Sequence, residues 1–434
     1  MVVRATHAES AELRPGARRT VRCEQMVHGG LCVAHDDDGV TLLVEGAIPD
    51  EVAEVELRFR KGRTWFATVI RALDASADRV EAPCPYVPQC GGCQWQHIAY
   101  ARQLTLKREI VIDALGRQRV ATPDEIHVHG MEEPWRYRWR GEFHVVLGNH
   151  GVSDARLGFN RARSWRPIAV DDCLIHHRTI TGSLSELRDT VRRGGSDELN
   201  TLRLTVGEEG RELLVHGKPV RALRGEALDE AALRLPDGVR LSTDATSLTW
   251  RGHVFRVTPE AFMQVNWPQM DTLYECALIG LGDCAGLRVV DAYAGIGVLA
   301  THLALQAREV VCIESSRATA RIGVLNARVN AVAERVRYIV GAVEETLPQV
   351  AAESPVDRLL VDPPRAGCAG SVTGWLALAG PERVVYVSCD PATLARDLHV
   401  LVASGPYEIV SLEIVDMFPQ TYHVECVVTL ERSG

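Results

Sequence analysis

Residues 256–434 alternate apolar, β-branched runs with helical patterns, and this alternation constrains the fold more than any other feature of the sequence. Strands that alternate with helices build a doubly wound, mainly parallel sheet. We therefore predict a C-terminal α/β Rossmann-like domain over these residues. Its strands are predicted at 288–293, 309–314, 336–340, 358–362, 384–389, 409–415 and 424–430.

Cys389 stands at the end of one of these predicted strands, where Asp390-Pro391 stops the apolar run. Open α/β sheets place ligands and chemistry at the carboxyl ends of their strands. Cysteine is also among the most buried residue types and often serves only as a small apolar side chain. The position therefore makes Cys389 a candidate nucleophile, and the rest of the chain has to decide between the two roles.

A glycine loop follows the first predicted strand, and an acid ends the second. Gly295 and Gly297 let the backbone approach a ligand, and Glu314 is placed to hold ribose hydroxyls. The loop also satisfies a dinucleotide fingerprint, so by itself it does not separate NAD from S-adenosylmethionine (SAM). The rigid loop Asp362-Pro363-Pro364 favours SAM, because an enzyme that methylates a planar base must hold that base beside the methyl donor.

Residues 18–75 have a different texture, with short β-type runs separated by turn signals such as Gly29-Gly30. Several short strands at this spacing predict a small OB-like β-barrel. Four basic residues cluster near one loop: Arg58, Arg60, Lys61 and Arg63. Such a cluster is compatible with phosphate contact, although a solvated loop has the same composition.

Three cysteines then fall within ten residues: Cys84, Cys90 and Cys93. The glycines at 91–92 allow the backbone to turn tightly, so the three thiolates can converge on one centre. All-thiolate ligation fits an iron–sulfur cluster or zinc, and either needs a fourth ligand. Cys173 is the preferred candidate, since its rivals Cys23 and Cys32 lie inside strand-like runs.

The region 76–255 is predicted to be a β-rich α+β domain. It begins with an amphipathic helix at 98–117, which we expect to dock on the C-terminal domain. Between residues 136 and 166 there are seven Arg against only Glu142 and Asp154, interleaved with aromatic residues. Guanidinium groups pair with phosphate and, like aromatic rings, stack on splayed bases, so we predict RNA contact here. The two faces of a sheet would give a similar alternation.

Bulk properties narrow the setting of the protein. Its 434 residues can form several domains, and its net charge of −9 requires any nucleic-acid contact to come from a local basic face. No apolar stretch approaches the roughly 20 residues of a membrane span, and the N-terminus lacks the core of a signal peptide. We therefore predict a cytoplasmic protein without membrane contact, and we expect a monomer.

Several motifs now stand in a fixed order, and together they resemble the RNA (uracil-5-)-methyltransferase family. They are Phe262–Asn266, Asp291–Gly297, Asp362–Arg365, Ser388–Pro391 and Asp416–Glu425. The ribosomal-RNA members of that family also carry a four-cysteine iron–sulfur motif and a TRAM domain, a small RNA-binding barrel. Residues 29–33 and 45–49 resemble the glycine turn and the "V-x-G-A-x-P-G-E" segment of a TRAM domain, although Asp50 replaces its second glycine.

The resemblance implies roles for individual residues. Cys389 would be the nucleophile and Glu425 the general base. The cofactor and base pocket would be formed by Gln264, Tyr293, Gly295, Gly297, Glu314 and Asp362. A [4Fe-4S] cluster would be held by Cys84, Cys90, Cys93 and Cys173. Many SAM enzymes have an Asp near the position of Ala342, so adenine recognition here is expected to use the backbone.

These roles match a chemical need. Carbon 5 of uracil is a poor nucleophile, so a thiolate must first add to carbon 6, and a positioned base must later remove the proton from carbon 5. We predict methyl transfer from SAM to carbon 5 of a uridine in RNA, preferably 23S ribosomal RNA. Three alternatives stay open: the same reaction on tRNA, an NAD-linked iron–sulfur oxidoreductase, and a non-catalytic RNA-binding factor.

The predicted cluster is expected to have a structural or RNA-positioning role. The spacing of Cys84, Cys90 and Cys93 differs from that of radical SAM enzymes, and the methyl chemistry needs no electron.

Overall fold

A computed structural model describes residues 13–219, 235–403 and 405–433. The chain divides into two compact units. The first contains the residues up to Pro83 with Gln94–Ile110 and Gln420–Tyr422, and the second contains the remainder. The predicted domain limits 18–75, 76–255 and 256–434 stay a prediction, and residues 220–234 of the predicted central domain lie outside the described residues. Within the described ranges, no helix is both long and apolar enough to span a membrane.

The first unit contains the predicted N-terminal barrel. Its five strands are β1 Arg18–Val27, β2 Leu31–Asp36, β3 Thr41–Glu45, β4 Val52–Lys61 and β5 Thr64–Asp74. They close in the order β1-β2-β3-β5-β4, which removes unpaired edges. Side chains alternate between buried and accessible along each strand, and Cys23 and Cys32 lie inside the core. Their burial in the barrel confirms that they are strand residues.

A buried ion pair braces the barrel. The Glu51 side chain is fully buried, and its two oxygens accept hydrogen bonds from Arg79 Nε and Nη2 at 2.5 and 2.6 Å. The backbone N–H groups of Ile48 and Ser76 also donate to this carboxylate, at 2.9 and 3.2 Å. Burial alone would raise the pKa of Glu51, but these donors and the charge of Arg79 hold it below its usual value. Glu51 is therefore ionised and satisfied.

The second unit contains a six-stranded sheet. Before it, the chain forms α1 Tyr100–Arg117, whose residues from Val111 belong to this unit, and β6 His127–His129. The sheet and its helix comprise β7 Arg140–Gly148, β8 Gly151–Asn160, β9 Pro167–Ala169, α2 Arg178–Gly194, β10 Thr201–Gly207, β11 Glu212–Lys218 and β12 Arg240–Ser242. The strand order is β12-β11-β10-β7-β8-β9. Helix α2 buries Ile180, Leu184, Leu187 and Val191, at helical spacing, in the core of this sheet.

The C-terminal part is the predicted doubly wound domain. A hairpin, β13 Thr246–Trp250 and β14 His253–Val257, precedes it. Its helices are α3 Trp267–Leu281, α4 Val298–Leu303, α5 Arg317–Val329, α6 Val343–Glu353, α7 Gly370–Ala379 and α8 Pro391–Leu398. Its strands are β15 Arg288–Ala292, β16 Glu309–Glu314, β17 Val336–Val340, β18 Arg358–Val361, β19 Arg383–Ser388, β20 Tyr407–Val415 and β21 Glu425–Arg432.

Strand order decides which residues meet in this domain. The eight-stranded sheet runs β17-β16-β15-β18-β19-β21-β20-β6. Strands β15 to β19 are parallel to one another, whereas β21 is antiparallel to both β19 and β20, which confirms a mainly parallel sheet. Two apolar clusters cover its faces. The carboxyl ends of the parallel strands therefore meet at one edge of the sheet, beside the first residues of β21.

Candidate active site

A cavity of about 560 Å³ opens at the carboxyl ends of β15, β16, β18 and β19. All but one of the predicted catalytic and cofactor residues line it: Gln264, Tyr293, Gly295, Glu314, Asp362, Cys389 and Glu425. Gly297 is the exception. It precedes α4 in a left-handed conformation (φ +79°), and a Cβ there would lie 2.3 Å from the Tyr338 hydroxyl. Its glycine is thus required by backbone shape and packing.

Glu314, the acid at the end of β16, accepts hydrogen bonds from backbone N–H groups of the glycine loop and of the turn that follows β16. Gly295 N donates to Glu314 Oε2 at 3.0 Å, and Ser316 N donates to Oε1 at 2.7 Å. Tyr293 holds a φ of +68°, which is uncommon for a residue with a side chain and marks a constrained turn. Each carboxylate oxygen of Glu314 has further acceptor capacity, so the group can also bind hydroxyls.

Cys389 lies between a strand and a helix, each of which restrains it. It follows the last residue of β19, and the next residue, Asp390, caps α8 by accepting hydrogen bonds from Ala392 N and Thr393 N, both at 3.0 Å. The half-buried thiol lines the cavity. Burial, with the charges of Glu425 and Asp362, raises the pKa of this thiol to about 11, and Arg365 opposes the rise. A cation in the cavity would therefore favour the thiolate.

Glu425 is the first residue of β21 and is only 4% exposed. Ser388 pairs with Cys426, so the register brings Glu425 to the same end of the sheet as Cys389. Glu425 is not on an edge strand, because β21 lies between β19 and β20. Burial raises the pKa of Glu425 well above its usual value, Asp362 adds to the rise, and Arg365 counteracts it.

Two aspartates share this environment. Burial raises the pKa of Asp362 to about 7, and burial together with the charges of Asp362 and Glu314 raises that of Asp291 to about 8. Asp362 does not cap the following helix, because Ala369 holds the N-cap position of α7. The cavity thus concentrates carboxyl groups that a positively charged ligand would stabilise as anions.

Gln264 also has no capping role. Asn266 is the N-cap of α3, and its Oδ1 accepts from Gln269 N at 3.1 Å. Gln264 is 7% exposed and lines the cavity, where an amide can bond a ligand.

Sequence reasoning did not assign several residues that line the cavity. Arg365 donates through Nη2 to His423 Nδ1 at 2.6 Å, and the His423 ring meets that of Phe418 at 5.6 Å between centroids. Phe262 is 63% exposed although it also lines the cavity. All four residues lie inside the motifs that carry the family resemblance. Their place in these motifs was the sequence signal that could have identified them.

A second cavity of about 400 Å³ shares Tyr293, Glu314, Ser315 and Pro364 with the first. Ala342 and Val343, at the start of α6, also line it. The shared residues give an extended ligand two connected places to lie on either side of Tyr293.

The predicted metal-binding cysteines form a separate group in the second unit. Burial and the charges of Cys90 and Cys84 raise the pKa of Cys173 to about 11, while the backbone N–H groups of Ile175 and His176 oppose the rise. Gly92 N donates to Cys90 Sγ at 3.4 Å. Burial and the charges of nearby groups, which include both Cys93 and Cys173, raise the pKa of Tyr137. The fold therefore brings the four thiols into one neighbourhood.

Close backbone packing shapes the cysteine loop. Gly91 N donates to Asn160 O at 3.0 Å, and a Cβ on Gly91 would lie 3.2 Å from that oxygen and 3.3 Å from Ala162 Cα. Glycine permits this close approach, because it has no Cβ.

Comparisons with known proteins agree with this architecture. The tRNA (uracil-5-)-methyltransferase family model matches residues 242–433. An uncharacterized RNA methyltransferase of Gloeobacter violaceus is 36% identical, covering 98% of this chain and 99% of its own. Another, of Halalkalibacterium halodurans, is 35% identical, covering 95% and 96%. The structure of Pyrococcus abyssi tRNA (uracil-54, C5)-methyltransferase with S-adenosyl-L-homocysteine matches with a TM-score of 0.71 at 22% identity, covering 95% of this chain and 99% of that one.

The N-terminal barrel and the doubly wound sheet with its ligand cavity define a multidomain protein with a methyltransferase fold. The identity to relatives over nearly the whole length adds the substrate class. The chain belongs to the RNA (uracil-5-)-methyltransferase family and is a SAM-dependent RNA methyltransferase. This assignment decides against the NAD-linked oxidoreductase and the non-catalytic factor that the sequence left open.

Proposed function

We propose that this enzyme methylates carbon 5 of a uridine in 23S ribosomal RNA through a covalent bond between Cys389 and carbon 6 of the base. The observation that carries this proposal is that Cys389 and Glu425 line one cavity, which Asp362 and Arg365 also line. A nucleophile, a buried carboxyl group and a cation are the groups that the reaction needs.

Cofactor binding is assigned to the glycine loop and its neighbours. Glu314 would bond the ribose hydroxyls, and the second cavity, beside Ala342, would accept the adenine. Gln264 and Asp362 would face the reacting end of the cofactor and the uracil. Bound SAM supplies an electrophilic methyl group on a positively charged sulfur.

The protein side of the reaction follows in three steps. The Cys389 thiolate adds to carbon 6, and the electron pair of the carbon 5–carbon 6 double bond moves toward carbon 5 and the 4-oxygen. Carbon 5 would then bond to the methyl group, whose bond to the donor sulfur would break and leave a neutral thioether. Glu425 removes the proton from carbon 5, the bond from Cys389 Sγ to carbon 6 breaks, and the double bond re-forms.

The charges of the cavity support this order of events. In the ligand-free cavity burial favours the neutral forms of Cys389 and Glu425, and Arg365 is the side chain that opposes this for both. A sulfonium ion adds a second positive charge beside Asp291 and Asp362. Ionisation of the nucleophile and the base is therefore linked to filling of the site.

A trapping experiment tests the function. With SAM labelled in its methyl group and an RNA containing 5-fluorouridine, the carbon 5 substituent cannot leave as a proton. The enzyme should form a labelled adduct that survives denaturation. Cys389→Ala should form none while it still binds SAM, and Cys284→Ala, at another buried cysteine, should behave as wild type. If no bacterial RNA gives an adduct, the covalent mechanism is wrong.

The same reaction on tRNA is the second candidate. The matching family model carries the tRNA description, and the Pyrococcus relative acts on a tRNA uridine. Mapping 5-methyluridine in total RNA from cells with and without the gene separates the two. Loss of the modification from 23S rRNA supports the first candidate, and loss from tRNA supports the second.

We also infer that Cys84, Cys90, Cys93 and Cys173 hold a [4Fe-4S] cluster. The backbone donors to Cys90 and Cys173 suit thiolate ligands. A single zinc ion is the alternative occupant of a four-thiolate site. Anaerobic reconstitution should give iron and sulfide that Cys173→Ser loses, and zinc in their place would contradict the inference.

Two exposed hairpins are proposed to contact RNA. In the barrel, which we interpret as a TRAM domain, the tip between β4 and β5 exposes Arg60, Lys61 and Arg63, beside Phe59, which stacks on Phe66 at 4.6 Å. In the second unit, the turn between β8 and β9 presents Trp165, which is 93% exposed. A surface cavity of about 580 Å³ there is lined by Arg161, Arg163 and Trp165.

Base stacking makes this proposal measurable, since removing one stacking aromatic costs about 1–3 kcal/mol. Trp165→Ala and Phe59→Ala should each weaken RNA binding by about that amount at constant salt. Leu378→Ala, at a residue 85% exposed on α7, is the matched control and should bind normally. Unchanged affinity in both aromatic variants would remove the hairpins from the interface.

The cytoplasmic location and the monomeric state are proposed on the sequence alone.

A further inference from the structure

Three ligand-type side chains from three different elements converge away from the cavity. His129 ends β6, Glu413 lies on β20, and Cys276 lies on α3. His129 Nε2 is 2.8 Å from Glu413 Oε2 and 3.7 Å from Cys276 Sγ. Among the described residues, this is the one set of at least three His, Cys, Asp or Glu side chains whose ligand atoms all lie within 4.8 Å of one another.

The arrangement does not fit a nucleophilic triad. In such a triad the histidine uses one ring nitrogen for the nucleophile and the other for the orienting carboxylate. Here the sulfur and the carboxylate oxygen both approach the same nitrogen, Nε2. One proton on that nitrogen can be donated to only one of them, whereas a cation placed between the three atoms can be bound by all of them.

We propose that His129, Cys276 and Glu413 form a transition-metal site that binds Zn²⁺. Nitrogen, sulfur and oxygen together suit zinc, while magnesium and calcium prefer oxygen ligands. Ligand atoms at about 2.0–2.3 Å from a tetrahedral zinc ion are about 3.3–3.8 Å apart. The Nε2 to Sγ distance already falls in this range, and the Nε2 to Oε2 distance needs to open only slightly.

The backbone around the site is held in place. Strand β6 pairs with β20 in parallel, with His127 opposite Glu413 and Val415 opposite His129. Gln269, seven residues before Cys276 and thus on the same face of α3, donates to His129 O at 2.8 Å. His129 is therefore positioned against both β20 and α3 before any metal binds.

Accessibility and a further ligand also fit the proposal. The side chains of His129 and Glu413 are 34% and 19% exposed, so an ion can enter, while Cys276 is 7% exposed. His127 Nδ1 lies 3.5 Å from Glu413 Oε1 and is a candidate for an additional nitrogen ligand. A bound ion would fasten β6, at the edge of the eight-stranded sheet, to β20 and α3. The site shares no residue with the methyl-transfer cavity or with the four-cysteine group.

Metal binding to the full-length protein tests the proposal. Zinc sulfate or cobalt chloride alone is added to protein whose iron–sulfur content has been measured, and bound metal is counted. Wild type should bind one more equivalent than Cys276→Ser or Glu413→Gln, and cobalt should show thiolate charge-transfer absorption that Cys276→Ser lacks. Cys284→Ser, at a buried cysteine just after α3, is the matched control and should keep the equivalent.

A stability measurement covers the case in which a buried variant folds poorly. Glu413→Gln changes a partly exposed side chain and conserves its shape. Zinc should raise the melting temperature of wild type and of Cys284→Ser but not of Glu413→Gln, while methyl transfer by Glu413→Gln stays near the wild-type rate. Equal metal stoichiometry and equal zinc-induced shifts in all variants would overturn the proposal.

Discussion

Two buried glutamates, Glu51 in the barrel and Glu425 in the C-terminal sheet, show how the same side chain is used in opposite ways. Both are at most 4% exposed. Glu51 has Arg79 and two backbone donors, which outweigh the cost of burial and lower its pKa. The charge of Asp362 adds to the burial of Glu425 in raising its pKa, and the opposing cation, Arg365, does not offset them.

The difference separates a structural carboxylate from a reactive one. A buried charge with matched partners stabilises one conformation, and its protonation state does not change near neutral pH. A buried carboxyl group whose charge is left for a ligand to compensate can exchange a proton during a reaction. The same substitution at the two positions should therefore produce different defects.

The largest effect is expected for Glu425→Gln. Because the amide cannot accept the proton from carbon 5, turnover should fall by about 10²–10⁴-fold. Adduct formation through Cys389 should persist, so a methylated protein–RNA complex should accumulate with ordinary RNA. Denaturing gels and single-turnover assays with labelled SAM measure both. Glu51→Gln, assayed well below its melting temperature, should turn over normally, and a comparable loss there would break the contrast.

Glu51→Gln should instead reduce stability. It leaves the partly exposed Arg79 without its counter-charge, and breaking a buried ion pair of this kind costs about 3 kcal/mol. The midpoint of urea denaturation for the transition that includes the barrel should fall accordingly. Glu425→Gln should not lower this midpoint, since the substitution removes a buried group that already favours its neutral form. A stable Glu51→Gln protein would show that the ion pair contributes little.

The smallest effect is expected in how ligand preference changes with pH, which depends on two acids of the same cavity, Asp362 and Asp291. The pKa values of Asp362 and Asp291, about 7 and about 8, are raised above the ordinary value of 3.8. Stability from their protonated forms is complete below about pH 4 and is lost as the pH rises through 7 to 8. SAM carries a charge that its demethylated product lacks, so the preference for SAM over the product should increase several-fold from pH 6 to pH 8.

Calorimetric titrations of both ligands across this pH range measure the preference. Asp362→Asn should flatten the change, and Asp37→Asn, at an exposed position in the barrel, should leave it intact. A preference that stays constant with pH in the wild type would mean that the acids do not respond to the sulfonium charge.

Local pattern was sufficient for much of the fold. Short β-type runs separated by turn signals predicted the barrel strands, and apolar runs predicted β15 to β21 to within a few residues. The helical pattern of residues 316–330 corresponds to α5 with its two capping residues, since Ser316 Oγ accepts a hydrogen bond from Thr319 N. The strand predicted over 384–389 is observed as Arg383–Ser388. It stops before Cys389, because the chain bends there toward Asp390, the N-cap of α8. Short-range hydrogen bonding and side-chain spacing determine these features, so they are legible in sequence.

The pairing of Cys389 with Glu425 was predicted only through motif order, and the electrostatics of the site were not predicted. Cys389 and Glu425 are 36 residues apart in the chain, and nothing local indicates that β21 inserts between β19 and β20. The strand order also brings Arg365 to His423, and it brings His129 and Glu413 together near Cys276. Burial and neighbouring charge, which set the pKa values here, depend on these distant pairings.

The sequence alone determined the α/β alternation, the barrel, the residues at the strand ends and the family resemblance. Each of these depends on residues close together in the chain. Only the tertiary structure decided that Glu425 lies beside Cys389 in an acid-rich cavity while Glu51 is neutralised by Arg79. The physical reason is that the fate of a buried charge depends on which distant groups the strand order and register bring next to it.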